Sequence, residues 1–581
     1  MHRVASLFLL LAGCSAAKAP APARPAPIAV KAASASTAPP PKAARSPVLL
    51  VVIVDQLGSW VLEQRLASLP ADGAFAGLVR EGLYAPALRY EHATTSTAPG
   101  HAALFTGLPP RESGVFANER LDETTDKPVS IFHDANSRLV LDGTVDAASS
   151  SAALLRADTL ADALRAQRPD AQIIALSLKD RASIAGGGKK PDAAVWFDPE
   201  RERFVTSTAF AERLPSFVAA NGAQLQRELS GAWRLLDKPW LEAHAPTSDD
   251  QAGEGDLGLG IRFPYDLSQA KNRGKVFRGE PGADRAVLGL ARGALAELPN
   301  DAEHDHPLLL VLSLSAFDYV GHVFGPDSWE SWQLLRELDH ELQTFFVELQ
   351  ARFGDRLGIL LSADHGTTPL PETAGDSKAR PWCGASAPDP YQRPCDKGER
   401  LFRDDLEQRL RQVARSVLGT GNFVRGVVEP FAYLTPAVAE LPEARRAAFE
   451  LAAVAELEKQ PGIARAFVSR RFAAPCPPSS DESLEALVCR ALPAGAGDLY
   501  IVAKSGSFFD PSLVRAHGIN HGSPYLYDRT VPLLLRTARL QHRGARLSES
   551  LHPADFTATA AALLDIAPPA GAASGRDLSK R

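Results

Sequence analysis

Five short apolar runs place the strongest constraint on the fold of this 581-residue chain. The first, residues 48–54, is rich in β-branched side chains and is followed directly by Asp55. A continuous apolar run of this length is typical of a strand that is buried on both faces, as in a parallel sheet. The other runs are residues 172–177, 307–314, 357–362 and 531–535.

Segments with the periodicity of helices lie between these runs, at residues 158–167, 284–298 and 328–352. Strands that alternate with helices predict an α/β domain with a central, mostly parallel sheet flanked by helices. An amphipathic segment at 553–564 predicts a closing helix.

Two regions fit this alternation poorly, at about 199–283 and about 371–495. We expect both to be insertions that cap the active-site side of one catalytic domain at 47–575. The chain is too long for one compact core, so two domains are the alternative.

The N-terminus has the pattern of an export signal. His2 and Arg3 precede an apolar stretch, residues 4–12, that is too short to span a bilayer. The stretch ends in Leu-Ala-Gly-Cys14, which resembles the lipobox of bacterial lipoproteins. We therefore predict a signal peptide at 1–14, a lipidated Cys14 and an Ala/Pro-rich tether at 15–46. An ordinary cleaved signal is the alternative.

The N-terminal signal and lipobox predict an exported lipoprotein, anchored to a membrane by its N-terminal lipid, in the periplasm or at the outer membrane. The net charge of −6 argues against a nucleic-acid-binding scaffold, which normally carries a basic excess. The sequence makes no prediction about the oligomeric state.

Four further cysteines suggest disulfides, because their number is even and the chain is predicted to be exported. We favour local pairing, Cys383 with Cys395 and Cys476 with Cys489, among three possible connectivities. A Cys₄ zinc site is the other interpretation, and the absence of a Cys-x-x-Cys pair disfavours it.

Acidic residues and histidines cluster around the predicted strand ends. Because ligands bind outside the carboxyl ends of parallel strands, we expect these side chains to share one site. Oxygen and nitrogen donors of this kind suit zinc, and six of them are enough for two ions with open positions. The candidates are Asp55, Asp318, His322, Asp364 and His365, with His521 brought in by a loop.

A candidate nucleophile, Thr97, lies in a Thr/Ser-rich segment at 94–101 that leads into a small-residue helix at 102–107. At the N-terminus of a helix, free N–H groups and the helix dipole stabilise an alkoxide and an incoming phosphate. The alternative is that these hydroxyls only cap the helix.

The order of these motifs resembles the alkaline phosphatase superfamily, closest to the PafA-type alkaline phosphatases and further from the nucleotide pyrophosphatase/phosphodiesterases. The resemblance extends over about residues 48–567. The matching elements are Asp55, Thr97-Ala-Pro-Gly-His101, Thr106-Gly107, Asp318-x-x-x-His322, Asp364-His365-Gly366 and His521-Gly522.

The resemblance implies an alkaline-phosphatase-like sandwich and two zinc ions per chain. Asp318, His322 and His521 would hold one ion. Asp55, Asp364 and His365 would hold the other, with Thr97 as an exchangeable ligand. Asn118 matches a donor to a substrate oxygen.

Lys179 and Arg181 follow the strand predicted at 172–177. Two basic side chains two residues apart on an extended segment point the same way, so both could reach one phosphate. PafA-type phosphatases resemble the sequence here, through Lys-Asp-Arg, the glycines at 186–188 and the Trp-Phe-Asp at 196–198. A solvated surface pair is the alternative.

Together these features predict a zinc-dependent hydrolase of small phosphate monoesters that forms a phosphothreonine on Thr97, with Lys179 and Arg181 binding the dianion. The first alternative is a phosphodiesterase or nucleotide pyrophosphatase of the same superfamily. The second is a non-catalytic, zinc-binding surface lipoprotein. A sulfatase is disfavoured, because no Cys-x-Pro-x-Arg motif is present.

Overall fold

A computed structural model describes residues 45–141, 144–299, 305–472, 474–511 and 513–581. The predicted signal peptide, Cys14 and the tether up to residue 44 lie outside the described residues. Within the described ranges, every helix is too short or too polar to cross a membrane.

An eleven-stranded sheet forms the centre of the described structure. From one edge to the other its strands are Ala545–Arg546, Leu83–Arg89, Thr530–Arg536, Leu357–Ser362, Val48–Val54, Leu308–Leu314, Gln172–Ser177, Ala193–Asp198, Arg203–Ser207, His133–Leu141 and Thr144–Ser150. The five strands from Leu357–Ser362 to Ala193–Asp198 are mutually parallel. Every residue of Val48–Val54 is buried, so both faces of the sheet are covered, as the apolar run predicts.

The carboxyl ends of the central strands coincide. Val54 lies opposite Leu314, and Ile53 lies opposite both Ser313 and Ser362. The residues that follow these strands therefore emerge side by side at one edge of the sheet.

One apolar run behaves differently from the others. Residues 531–535 form the strand Thr530–Arg536, which is antiparallel to both of its neighbours. The run forms a buried strand as expected, but the expectation that this strand is parallel to its neighbours is wrong. The segment before it, with His521, lies at the carboxyl edge, so the chain enters the sheet there and must run back.

Helices cover the sheet and fill the connections. They are Ser59–Arg65, Ala74–Glu81, Thr97–Thr106, Pro110–Ser113, Leu160–Gln167, Asp180–Gly187, Ser216–Ala220, Gly222–Leu229, Lys238–His244, Arg273–Phe277, Pro281–Glu297, Ala316–Phe324, Trp329–Phe353, Arg403–Leu418, Pro436–Ala439, Glu443–Glu458, Leu484–Ala491, Leu526–Arg529 and Pro553–Leu563. The helices predicted at 158–167, 284–298, 328–352 and 553–564 are all present. Thr159 and Ser328 cap two of them through their hydroxyl oxygens.

A second, four-stranded sheet has the order Val424–Val428, Phe431–Leu434, Leu499–Ala503, Ile463–Val468 and is antiparallel throughout. The long helices Arg403–Leu418 and Glu443–Glu458 share a hydrophobic core with it. Most of this unit lies in the segment predicted as an insertion at 371–495.

The segment at 199–283 is mixed. Its strand Arg203–Ser207 continues the main sheet, and its remainder consists of short helices and the paired strands Ala232–Trp233 and Tyr265–Asp266. Two further strand pairs are Glu119–Leu121 with Pro128–Ser130, and Arg400–Leu401 with Phe508–Phe509.

Two disulfides join Cys383 to Cys395 and Cys476 to Cys489. The predicted local pairing is confirmed. Disulfides of this kind are typical of extracellular or periplasmic proteins.

Candidate active site

The six predicted metal ligands meet at the carboxyl edge of the central sheet. Asp55 directly follows its strand, and Asp364 lies two residues after the end of its strand. Asp318 lies in the first turn of the helix Ala316–Phe324. The shortest contacts among the six join His322 Nε2 to Asp318 Oδ1 at 3.2 Å, His365 Nε2 to Asp55 Oδ1 at 3.4 Å, His365 Nε2 to Asp364 Oδ2 at 3.4 Å and His521 Nε2 to Asp318 Oδ1 at 3.7 Å.

Each histidine is oriented by a backbone carbonyl at its Nδ1. The partners are Ile519 O for His322 at 2.9 Å, Gly366 O for His365 at 3.0 Å and Thr95 O for His521 at 2.8 Å. A carbonyl accepts only from a protonated nitrogen, so Nδ1 carries a hydrogen, and Nε2 is the ring nitrogen that faces the carboxylates. This is the arrangement that metal-binding histidines use.

Several of these donor atoms lack hydrogen-bond partners. Asp55 Oδ1, Asp364 Oδ2 and His365 Nε2 are completely buried and make no hydrogen bond with any described residue. Buried polar atoms of this kind are rare unless a ligand satisfies them. The donor set therefore fits a metal cation.

Two groups of three ligand atoms lie close enough together to hold an ion. One is Asp55, Asp364 and His365, as predicted, and the other is Asp318, His365 and His521. His365 belongs to both groups, because its ring stacks on that of His521 with a centroid distance of 3.6 Å. His322, predicted in place of His365 in the second group, contacts Asp318 from the next helical turn.

Thr97 is the first residue of the helix Thr97–Thr106, which begins five residues earlier than the sequence predicts. Ser96 occupies the N-cap without a side-chain hydrogen bond, so the hydroxyls of this segment do not cap the helix as the alternative proposed. Thr97 is fully buried. Its hydroxyl lies at the positive end of the helix, where an anion is stabilised.

Gly100 allows this helix to approach the predicted metal ligands. A Cβ atom at this position would lie 2.1 Å from the carbonyl oxygen of Asp364. On the next residue, His101 Nε2 bonds to the Ser313 hydroxyl at 2.9 Å. Gly100 and His101 thus hold this helix against the carboxyl ends of the strands Leu357–Ser362 and Leu308–Leu314.

Lys179 connects Thr97 to both groups of predicted ligand atoms. Its Nζ donates to Thr97 Oγ1 at 3.1 Å, and lies 2.6 Å from Asp55 Oδ2 and 2.5 Å from Asp318 Oδ2. Burial by itself would lower the pKa of Lys179, but Asp318 and Asp55 raise it above its usual value. The side chain is therefore a fixed positive charge beside Thr97.

Arg181 and Asn118 line a cavity whose wall also includes Asp318 and His521. Arg181 lies in the first turn of the helix Asp180–Gly187, so the prediction of an extended segment after Lys179 is wrong. The strand ends at Ser177, and the next helix begins three residues later at Asp180. Asn118 Oδ1 accepts a hydrogen bond from Ala98 N at 2.9 Å, which leaves its amide N–H₂ as the donor end.

The electrostatics of the site reflect its crowded charges. Burial would lower the pKa of His365, but Asp364 and Asp55 raise it to about 9. Burial, followed by His365 and His322, lowers the pKa of His521 well below its usual value. The pKa of Asp318 is held low by His322 and Lys179 against the effect of its burial.

Sequence reasoning missed Gln56. Its Nε2 donates to Asp318 Oδ1 at 2.8 Å, and its backbone N–H donates to Asp364 Oδ1 at 3.2 Å, so one residue spans both ligand groups. Its φ of 70° is unusual for a residue other than glycine. A Cβ at residue 321 would lie 1.8 Å from Gln56 Oε1, which accounts for Gly321. Only its position directly after Asp55 could have drawn attention to it.

Comparisons with known proteins identify the family and similar enzymes. A family model described as type I phosphodiesterase / nucleotide pyrophosphatase matches residues 49–382. The alkaline phosphatase PafA of Elizabethkingia meningoseptica is 26% identical over 550 residues, which cover 91% of this chain and 93% of that protein. The alkaline phosphatase PhoK of Sphingomonas sp is 28% identical over 550 residues, which cover 92% and 91%.

A solved structure shows the same fold. The crystal structure of wild-type PafA matches with a TM-score of 0.78 at 24% identity, covering 93% of this chain and 99% of that one. The predicted α/β class with a mostly parallel central sheet and flanking helices is thereby confirmed.

Proposed function

The chain belongs to the type I phosphodiesterase / nucleotide pyrophosphatase family and is a hydrolase, and from this premise we propose that it is an alkaline phosphatase acting on small phosphate monoesters. The observation that carries the proposal is the hydrogen bond from Lys179 to Thr97. A monoester has one more negative charge than a diester at the transferring phosphorus. A buried ammonium beside the nucleophile therefore favours the monoester.

The metal site in this proposal is a pair of zinc ions. Asp55, Asp364 and His365 would hold one, and Asp318, His322 and His521 would hold the other. Bound there, zinc would supply a low pKa at the Thr97 hydroxyl and charge stabilisation at the leaving oxygen. Carboxylate and imidazole donors suit zinc better than magnesium.

The protein's own residues then account for the reaction. Thr97 Oγ1 gives up its proton to solvent and attacks phosphorus, which forms the Oγ1–P bond and breaks the bond to the ester oxygen. The departing alkoxide takes a proton from solvent and leaves as the alcohol. Water cleaves the phosphothreonine, which restores Thr97 and releases phosphate. Lys179, Arg181 and the Asn118 amide bind the non-bridging oxygens and offset the charge that builds up on them.

A phosphodiesterase is the second candidate, because the family model carries that description. The deciding experiment compares kcat/KM of the zinc-loaded protein on an aryl phosphate monoester and on the matched diester. We expect the monoester value to be the higher. A diester value equal or higher would overturn the monoesterase proposal.

The nucleophile is tested by trapping the intermediate. Acid quenching of the wild-type protein with substrate should leave phosphate on the peptide that contains Thr97. Thr97→Ala should abolish both the label and turnover, whereas Thr97→Ser should retain turnover. Turnover by Thr97→Ala at the wild-type rate would exclude this nucleophile, and complete absence of turnover in the zinc-loaded wild type would favour the non-catalytic zinc-binding lipoprotein.

We also propose export through the N-terminal segment with a lipid on Cys14. Labelling of cells with a palmitate analogue should mark the wild-type protein and not a Cys14→Ser variant. Labelling of the variant to the same extent would contradict the lipid anchor.

A further inference from the structure

A cavity of about 280 Å³ opens from the metal-ligand cluster at Asp318 and His521. Both segments predicted as insertions contribute to its wall. Arg278 comes from the segment at 199–283, and Arg403 and Glu429 come from the segment at 371–495. The leaving group of an ester bound at the cluster would enter this cavity.

Arg278 is held against an aromatic ring rather than against an acid. Its Nη1 donates to the hydroxyl of Tyr319 at 2.8 Å, and its guanidinium carbon lies 4.3 Å from the ring centroid. Among the described residues Arg278 forms no ion pair, and its buried Nε has no hydrogen-bond partner. A half-buried guanidinium usually has a carboxylate partner, because desolvation of the charge is costly.

Tyr319 also links Arg278 to the reacting centre. Lys179 Nζ lies 5.1 Å from the centroid of the same ring. Arg181 lines the same cavity, its nearest carboxylate is Asp180 at 3.9 Å, and its Nε likewise lacks a partner among the described residues. Lys179, beside Thr97, and Arg278 therefore both lie against the ring of Tyr319, and Arg181 lines the same cavity.

The other charged residues of the cavity are accounted for. Arg403 pairs with Glu119 at 3.4 Å, and Glu429 accepts a hydrogen bond from the Asn520 amide at 3.1 Å. Arg181 and Arg403 thus each have a carboxylate within 4 Å, and Arg278 is the arginine of this wall that has none among the described residues.

We propose that Arg278, positioned by Tyr319, binds a second anionic group carried by the leaving group of the substrate. The preferred substrates are then phosphate esters with a further phosphoryl or carboxylate group, because both present the paired oxygens that a guanidinium grips with two hydrogen bonds. This inference rests on the proposed ester hydrolysis at Thr97. It names Arg278 as a specificity residue and assigns it no part in the bond-breaking step.

The test compares matched substrate pairs on the full, zinc-loaded protein. Fructose 1,6-bisphosphate against fructose 6-phosphate measures a second phosphoryl group, and 3-phosphoglycerate against glycerol 3-phosphate measures a carboxylate. For each pair the quantity is the ratio of kcat/KM with and without the second anion. We expect at least one ratio above about ten in the wild type, falling at least about tenfold in Arg278→Gln, as loss of one desolvated charge-assisted contact predicts.

Lys275→Gln is the matched control, because it removes one positive charge three positions before Arg278, at a side chain that is half exposed and pairs with Glu200. Its ratios should equal those of the wild type. If Arg278→Gln does not fold, Arg278→Lys serves instead, since it keeps the charge and loses the two-pronged geometry, and its ratio should fall by a smaller factor.

The outcomes separate this inference from the proposed function. Hydrolysis of all four esters with both ratios near one, or ratios unaffected by Arg278→Gln, overturns the second-anion site and leaves the monoesterase intact. Absence of hydrolysis of every ester overturns both. A selective fall in one ratio supports the site and identifies its anion as phosphoryl or carboxylate.

Discussion

Lys179 donates a hydrogen bond to the Thr97 hydroxyl across 3.1 Å, although the two residues are 82 positions apart in the chain. The same ammonium lies against Asp55 and Asp318, one from each proposed metal group. Lys179, at the N-cap of the helix Asp180–Gly187, is thereby joined to the helix that carries Thr97 at the point where a phosphate would bind.

Removal of Lys179 should reduce activity on monoesters selectively. We expect Lys179→Ala to lower kcat/KM for an aryl monoester by about 100-fold, and for the matched diester by less than about tenfold, because the diester has less charge to offset. Lys189→Ala, at an exposed pair with Asp158, is the control and should behave as wild type. Equal losses on both substrates would mean that Lys179 supports the site structurally and does not select the dianion.

Gln56 should tune metal affinity without touching substrate. Gln56→Asn tolerates the positive φ but is too short to reach Asp318, so zinc affinity should fall by about 10–100-fold, as for other residues that orient metal ligands. Competition with a fluorescent zinc chelator measures the affinity. Gln64→Asn on the following helix is the matched control, and an unchanged affinity in Gln56→Asn would contradict the role.

Zinc removal should destabilise the fold, because Asp55, Asp318 and Asp364 are buried carboxylates that the cation would neutralise. At free zinc about 1,000 times Kd, linkage predicts stabilisation of about 4 kcal/mol. Differential scanning calorimetry should show a lower Tm after chelation, restored by zinc and not by magnesium. The variant Asp364→Asn should lose most of this zinc-dependent shift. A Tm that is indifferent to chelation would argue against a bound metal in the folded protein.

Gly100→Ala should damage both stability and activity. The added Cβ would lie 2.1 Å from a backbone oxygen of Asp364, so the helix that carries Thr97 must move, at about 2–3 kcal/mol. Gly222→Ala is the matched control, because nothing lies within 4 Å of its added Cβ and it starts the helix Gly222–Leu229. That variant should be neutral or up to about 1 kcal/mol more stable in urea unfolding. Equal stability of the two variants would show that the helix is not constrained at Gly100.

A buried acidic cluster away from the site should make stability depend on pH. Burial raises the pKa of Glu254 to about 10, with Glu330 and Asp249 adding to the effect, and neither oxygen of its carboxyl has a hydrogen-bond partner among the described residues. The native state keeps this proton, whereas the unfolded chain loses it above about pH 4.5. The contribution of Glu254 to the free energy of unfolding is therefore fully present below pH 4.5 and declines as the pH rises toward 10.

Glu254→Gln removes this dependence. Relative to wild type, the variant should gain about 1.4 kcal/mol in the free energy of unfolding for each pH unit above 4.5, which amounts to about 6 kcal/mol at pH 9. Glu242→Gln, at an exposed pair with Lys238, is the control and should not change the pH profile. Parallel profiles for wild type and Glu254→Gln would contradict a buried, protonated Glu254.

Much of the site was predictable from residue type and order. A strand buried on both faces needs an uninterrupted apolar run, so residues 48–54 and 357–362 could be identified locally, together with Asp55 and Asp364 that follow them. The pairing of cysteines 12 and 13 positions apart was also predictable, because short loops bring them together.

Other features were decided only by the tertiary structure. The strand Thr530–Arg536 runs against its neighbours because the loop with His521 must first reach the carboxyl edge. Gln56 bonds to Asp318 across 262 positions, and Arg278 meets Tyr319 across 41. These contacts depend on how distant segments pack, and a packing relation of this kind leaves no local pattern in the chain. The sequence by itself thus determined the sheet and the types of ligand, whereas packing decided which of the remaining residues orient those ligands and line the cavity beside them.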